Sequence, residues 1–477
     1  MDKRLNLPDK KTLVMKFGGT SVGTPEAMNQ AVTIVRQTHL EWPRLVVVTS
    51  ALAGVTNLLL DSATHAAQGD TRLYRQVAHQ LYNLHDDIIR AHLPDPASQS
   101  LVRQEIEELI QEFSSLCQAI SVLGETTSRA LDAVASLGER LCVRVLSALL
   151  QSAGLSAPYI EATQLIVTDD HFQDAHPDLE ASRRQTRQVL DPILAQGQVP
   201  VVTGYIAANA AGVTTTLGRG GSDYTAALLG AALEADEVWI WTDVDGVMTA
   251  DPRLIPDACT IEQLTYREVA ALAYFGAKVL HPKTIRPVIE AGIGLRVCNT
   301  FNPGQPGTRI VADADAGGNG KVKAVTLIGK QRLITLEGRG MLGVPGVAAR
   351  TFGAVAATGT SVPMITQASS EQSICFAVPS DAASGVIGSL EKAFASELAG
   401  RDIDRVWATG EVGIVTVVGA GMRNTPGIAG KIFTALGADR VNVIAIAQGS
   451  SEVSISLVVD AKDAERAVLA LHGLIRC

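Results

Sequence analysis

The sequence predicts an α/β protein: an open, mainly parallel sheet sandwiched by helices, followed by two smaller βαββαβ modules of α+β type. Three observations carry this reading. Near the start, "KTLVMKF" runs into "GGTSVG", then a helical pattern, then "RLVVVTS"; strand, glycine turn, helix, strand is the order of a parallel sheet. Strand patterns return at "VPVVTGYIA", "EVWIWTDVDGV" and "GLRVCNT". Finally, "ITQASSEQSI" (Ile365–Ile374) recurs as "IAQGSSEVSI" (Ile446–Ile455), and the same offset of 81 positions links Pro345 to Pro426, Phe352 to Phe433 and Glu371 to Glu452. No insertion interrupts that match, so the C-terminal part is a duplication.

The elements follow in order. Lys11–Phe17 is a short β-like run, a helix follows from Pro25 to about His39, and Arg44–Ser50 is a second buried strand. Residues 58–153 turn helical: "QEIEELIQEFSSLCQAI" sets Ile106, Ile110, Phe113, Leu116 and Ile120 at spacings of three and four. We read this as a helical excursion covering one end of the sheet. The catalytic-type domain spans 1–312, and the glycine-rich 313–321 is a linker. The first repeat, 331–410, reads β, α, β, β, α, β. The second, 411–477, lacks its last strand, and "KVKAVTLIG" before the first repeat is taken to supply it. One module is therefore 322–330 plus 411–477, with 331–410 inserted within it.

Composition bounds the function. The 477 residues carry a net charge of −9 with 47% hydrophobic, 19% charged and only 4% aromatic residues. An acidic chain poor in aromatics does not suit nucleic acid, though local features can still hold a small anion. No apolar run reaches membrane-spanning length and no basic–apolar leader opens the chain, so no membrane partner and a cytoplasmic setting are expected. Six scattered cysteines without CxxC spacing read as reduced buried thiols, and no metal-binding cluster is expected.

Three segments carry candidate chemistry. In "MKFGGTSVG", Gly18 and Gly19 let backbone N–H groups approach an anion and Lys16 adds charge, although a tight turn with a solvated lysine would also explain it. In "TLGRGGSDYTAALLG", glycines flank Arg219 while Ser222 and Asp223 open a helix, the makings of an anion site. Helix capping accounts for the Ser–Asp pair but not for the arginine. In "WTDVDGVMTADPR", acids end a strand where ligands of parallel sheets bind, and plain turn chemistry fits equally. Further candidates are Ser50 and Thr56 in "TSALAGVTN", Glu139 and Arg140 in "LGERL", and Lys278 in "FGAKVLHP". An exposed helical ion pair is the ordinary explanation of "GER".

Jointly and in this order, "KFGGTSVG", "SALAGVTN", "LGER", "GRGGSDYTA", "WTDVDGVMTADPR" and "FGAKVLHP" resemble the aspartokinases of the amino-acid kinase family, and the repeats resemble ACT domains. The resemblance covers nearly the whole chain. It implies phosphorylation of the side-chain carboxylate of L-aspartate by ATP–Mg²⁺, the metal borne by the nucleotide. By the same resemblance Lys16, Gly18 and Gly19 hold the phosphates, with Lys278 approaching them. Ser50, Thr56, Glu139, Arg219 and Ser222 hold aspartate, Arg219 on its α-carboxylate and Glu139 near its ammonium. Asp223 orients the amine or the lysine. Thr242, Asp243, Met248 and Arg253 fall where the family contacts the nucleotide, Met248 standing where relatives often have tyrosine.

The duplicated "Q-x-SSE-x-SI" phrase resembles the threonine-sensitive group, often fused to a homoserine dehydrogenase, whereas this chain shows no dinucleotide fingerprint after the repeat. The resemblance implies an amino-acid effector, threonine favoured and lysine possible, held by Gln367 and Gln448 with Ile365 and Ile446 lining the site. It also implies a homodimer or higher oligomer through the ACT modules. Two alternatives stay open: a catalytically silent amino-acid sensor, and a kinase of another acidic amino acid.

Overall fold

The structure is a computed structural model that describes residues 11–277, 280, 282–312, 321–341, 343–367, 372–422, 425–448 and 453–475. The chain divides into two units. The first comprises Met1–Val247, Glu262–Leu264 and Leu280–Ala312, the second Met248–Ile261, Thr265–Val279 and Asp313–Cys477. The second unit thus takes two stretches out of 1–312, and 313–320 of the expected linker lie outside the described residues.

The expected fold class is the one found. In the first unit an eight-stranded sheet runs, in spatial order, Tyr159–Ile160, Val201–Thr203, Arg44–Thr49, Thr12–Phe17, Glu237–Thr242, Gly294–Asn299, Thr308–Val311 and Gln263–Thr265. The first six are mutually parallel, and Thr308–Val311 is antiparallel to its neighbour. All six residues of Thr12–Phe17 are buried, as a central strand covered on both faces requires. The helical excursion is four helices: Val55–Ala67, Thr71–His92, Pro96–Leu123 and Ser128–Ser152. Local chemistry sets their bounds. Asp70 caps one by accepting from Arg72 N–H at 2.9 Å; Asp95 caps the next, Pro96 opens it and Gly124 ends it at φ 73°.

One expected strand is broken. "VPVVTGYIA" reads as a single run, but the backbone leaves the sheet at Gly204–Tyr205, where Tyr205 has φ 66°. Residues Ile206–Asn209 then pair within a separate three-stranded sheet with Val167–Thr168 and Thr214–Thr216. Cys117, Cys142 and Cys298 are buried free thiols, whereas Cys259 is disulfide-bonded, a departure from the expectation of reduced cysteines throughout.

The second unit holds a seven-stranded antiparallel sheet. Its long strand, Ala324–Glu337, serves both repeats. Gln331–Glu337 pairs with Ser373–Pro379, and Arg405–Ala408 lies on its other side against Ile334–Glu337, while Ala324–Ile328 pairs with Val412–Val418. The register shifts between Ile328 and Gln331, where Lys330 sits at φ 54°. Met364–Gln367 and Val443–Ala447 are the outermost strands of this sheet.

Candidate active site

A cavity of about 460 Å³ opens at the C-terminal ends of the two central strands of the first unit. Lys16 enters it from Thr12–Phe17. Its Nζ lies 2.5 Å from Asp223 Oδ1, with both side chains largely buried. Gly19 follows on the next turn, and a Cβ there would come within 3.0 Å of the Ala51 carbonyl, so only glycine lets the two strand-end loops approach. Gly18 anchors that turn by donating its N–H to Trp241 O at 3.0 Å.

Ser50 and Thr56 line the cavity from the loop after Arg44–Thr49 and from the start of the following helix. Glu139 reaches it from the buried face of Ser128–Ser152 and is 3% exposed. Its Oε1 accepts the Ala51 N–H at 3.2 Å; its Oε2 has no hydrogen-bond partner among the described residues. Burial pushes this carboxyl up to about 8, against smaller opposing contributions from the Ala51 N–H and from Lys16. A buried, half-satisfied carboxyl facing a polar cavity is a receptor for a cation.

The opposite wall is the turn before helix Gly221–Ala232. Gly218 and Gly220 have φ of 74° and 72°, bracketing exposed Arg219, which has no ion pair among the described residues. Ser222 is buried at the helix's first turn. A Cβ on Gly204 would lie 2.6 Å from its Oγ. One cavity therefore gathers a lysine–carboxylate pair, a free guanidinium, a half-satisfied carboxyl, the hydroxyl-bearing Ser50, Thr56, Ser222 and Tyr205, and a helix N-terminus. Anionic and cationic ends of a single small zwitterion have complementary partners here.

Comparison with known proteins places the chain. The model of the amino acid kinase family matches residues 11–299, and that of the ACT domain matches 334–394 and 415–474. The chain belongs to the amino acid kinase family. Within that family it is similar to aspartokinases. A bifunctional aspartokinase/homoserine dehydrogenase of Haemophilus influenzae is 36% identical over 96% of this chain and 56% of its own length. Aspartokinase 3 of Arabidopsis thaliana, a chloroplastic protein, is 33% identical over 98% of this chain and 83% of its own length. The crystal structure of E. coli aspartokinase III with aspartate and ADP aligns with a TM-score of 0.78 and 30% identity, covering 98% of this chain and 100% of that one. The same enzyme with lysine and aspartate gives 0.77 and 32%, covering 97% and 99%. The chain spans about half the length of the bifunctional relatives it matches.

Within this amino acid kinase, the expected residues divide. Lys16, Gly19, Ser50, Thr56, Glu139, Arg219, Ser222 and Asp223 share one cavity. Arg140 does not take part; it pairs with Glu112 of Pro96–Leu123 at 2.9 Å and with Glu161 at 3.1 Å, half-buried ties to other elements rather than the exposed ion pair expected along one helix. Thr242 ends the strand beside Thr12–Phe17, and its hydroxyl donates to Asp243 at 3.1 Å. Met248 and Arg253 belong to the second unit, where Met248 bridges to Thr260 and Arg253 is held by Asp251 at 2.5 Å. Lys278 lies outside the described residues.

In the second unit, Ile365 and Ile446 are 49% and 46% exposed on the two outermost strands, and Gln367 and Gln448 are exposed beside them. Ile365 also borders a cavity of about 480 Å³ lined by Tyr274, Phe275, Met364, Ser454 and Ser456. The middle of the duplicated phrase, 368–371 and 449–452, lies outside the described residues.

Sequence reasoning missed Gln173 and Tyr205, both of which line the same cavity of the first unit with positive φ, and Asp132, which braces its wall. A left-handed non-glycine residue leaves no mark in hydropathy or spacing. Asp132 sits on an amphipathic helix where an aspartate reads as a solvated residue.

Proposed function

We propose that the chain transfers the γ-phosphoryl group of ATP–Mg²⁺ to the side-chain carboxylate of L-aspartate, giving 4-phospho-L-aspartate and ADP. The observation that carries this reading is the convergence, in one cavity, of the Lys16–Asp223 pair, unpaired Arg219 and half-satisfied Glu139. The E. coli relative with aspartate and ADP bound supports the same substrates.

An acceptor carboxylate is already ionised at neutral pH and needs no general base. Catalysis then rests on alignment and on neutralising charge at the transferring group. In this reading Arg219 takes the α-carboxylate, and Glu139 ionises as it receives the α-ammonium, since a cation beside it offsets the penalty of burial. Ser50, Thr56 and Ser222 orient the polar ends of the acceptor. Lys16, held in line by Asp223, meets the phosphoryl oxygens together with the Gly19 N–H, while Gly18, whose N–H is spent on Trp241 O, shapes the turn instead of donating to the phosphates as expected. Lys278, Thr242, Asp243, Met248 and Arg253 remain the proposed nucleotide contacts, and Mg²⁺ is carried by the nucleotide's phosphates.

Regulation by an amino acid at the ACT modules is part of the proposal, with Gln367, Gln448, Ile365 and Ile446 as its contacts. The duplicated glutamine phrase favours threonine, while the lysine complex of the E. coli relative keeps lysine in play. A homodimer or larger assembly through the outermost strands, in a cytoplasmic setting, completes the reading. The test is ADP release with ATP, Mg²⁺ and L-aspartate, repeated with L-threonine and L-lysine. Aspartate-dependent turnover suppressed by threonine is expected. Turnover that ignores aspartate would overturn the substrate assignment.

A further inference from the structure

The loop after Val167–Thr168 brings Gln173 to the cavity wall in a conformation its side chain disfavours, φ 74°. A non-glycine residue in the left-handed region costs on the order of 1 kcal/mol and persists only where its surroundings over-determine it. Two of the three such residues described in the first unit, Gln173 and Tyr205, line this one cavity, and the third is Glu234.

What holds Gln173 is a buried carboxylate. Asp132, 1% exposed, lies two helical turns before Glu139 on Ser128–Ser152. Its two oxygens accept the Gln173 N–H at 3.2 and 3.0 Å, the Thr216 N–H at 3.0 Å and the Thr216 hydroxyl at 2.8 Å. Thr216 leads directly into Leu217, Gly218 and Arg219. A single side chain therefore ties the Gln173 loop to the strand that delivers Arg219. The tie is doubled by Ala175 N–H on Thr216 O at 2.9 Å, and the residue between, Asp174, is held by Lys283 at 2.6 Å. At Gly218 a Cβ would lie 2.5 Å from Asp174 Oδ1, so loop and turn are packed without slack.

We propose that Gln173 is an acceptor-contacting, specificity-determining residue, held against the substrate by Asp132 acting as a positioning residue. This rests on the acceptor reading given above. The Gln173 side-chain amide, donor and acceptor at once, suits the polar ends of a short amino dicarboxylic acid. Because it narrows the cavity on the side of the Arg219 turn, it also limits how long an acceptor fits between that turn and Lys16.

The test uses the full chain and steady-state kinetics with separate titrations of L-aspartate and ATP. Gln173→Gly keeps the backbone N–H on Asp132 and adopts φ 74° without strain, so it folds at least as well as the parent. Its expected result is an unchanged or higher melting temperature, a KM for L-aspartate raised about tenfold, a KM for ATP within twofold, and a rise in the ratio of L-glutamate to L-aspartate kcat/KM. Asp132→Asn, which loses acceptor capacity, is expected to raise the L-aspartate KM further with less effect on kcat; Asp132→Glu should recover less than the parent because the longer side chain overfills the site. An L-aspartate KM within twofold of the parent in Gln173→Gly overturns the contact. Equal rises in both KM values show a general loss of structure and overturn it too. A parent chain with no aspartate-dependent turnover removes the acceptor reading itself, and this inference with it.

Discussion

The two regions that carry the proposed function are built on opposite plans. In the first unit, polar groups from several strands, loops and helices are drawn inward to one cavity, and glycines let backbones close to contact distance around it. In the second unit, the residues proposed to meet an effector stand outward on the two outermost strands of a sheet, exposed and written twice. A cavity lined by buried charge is already formed and tolerates little change. Exposed side chains on unpaired strand edges gain partners only when something is added to them. The difference teaches where mutation should abolish activity and where it should only retune it.

The comparison breaks first at Lys16. Lys16→Ala removes the charge at the cavity floor and leaves Asp223 beside the transferring group, and turnover should fall by about 10³-fold or more. Effector binding, followed by calorimetry, should be retained; near-parental ADP release would remove Lys16 from the phosphate role.

Glu139→Gln comes next. Its KM for L-aspartate should rise by about two orders of magnitude, as expected when a buried carboxylate–ammonium contact is lost. The same residue sets a pH dependence whose sign is fixed. Folding raises its pKa from an ordinary 4.5 to about 8, so the native chain holds a proton that the unfolded chain has released. The resulting stabilisation is fully present below 4.5 and is lost as pH rises through about 8. Denaturant melts of the ligand-free protein should show stability declining across that window, and the decline should flatten in Glu139→Gln. Affinity for L-aspartate should improve over the same window as Glu139 ionises.

Smaller effects are expected in the second unit. Gln367→Ala and Gln448→Ala should each raise the effector concentration for half inhibition by about tenfold, the loss of roughly one good hydrogen bond. Basal turnover should stay within twofold. If neither changes the inhibition curve, the repeat serves assembly alone.

The smallest effect is a control for both regions. Thr24 caps Pro25–Glu41 by accepting the Ala27 N–H at 3.2 Å, away from either site. Thr24→Ala should cost about 1 kcal/mol in denaturant melts without altering kinetics. A kinetic effect there would mean that the helix does more than support the sheet.

Legibility followed the same divide. The glycine turns, the parallel strands and the helical character of 58–153 were readable because period and turn chemistry act locally, and the duplication was readable because it is repeated. Glu139 was visible in "LGER" but not its burial, which depends on the strand-end loop that packs against it. Gln173 and Asp132 were not readable at all, since a left-handed φ and a carboxylate bridging two loops are products of tertiary packing. The break at Tyr205 hid for the same reason: an apolar run continues through it while the chain changes sheets. Nor did the sequence announce that Met248–Ile261 and Thr265–Val279 belong to the second unit.

The strand Ala324–Glu337 has a consequence for how the regulatory part can be taken apart. It is the hydrogen-bonding partner of Val412–Val418 through its first half and of Ser373–Pro379 through its second. Neither repeat can be excised at its own sequence boundary. A fragment beginning at Gln331 would leave Val412–Val418, buried along its whole length, with a bare edge and an invitation to aggregate. Amide exchange along 325–336 should accordingly report one cooperative opening, because the two modules share a single seam.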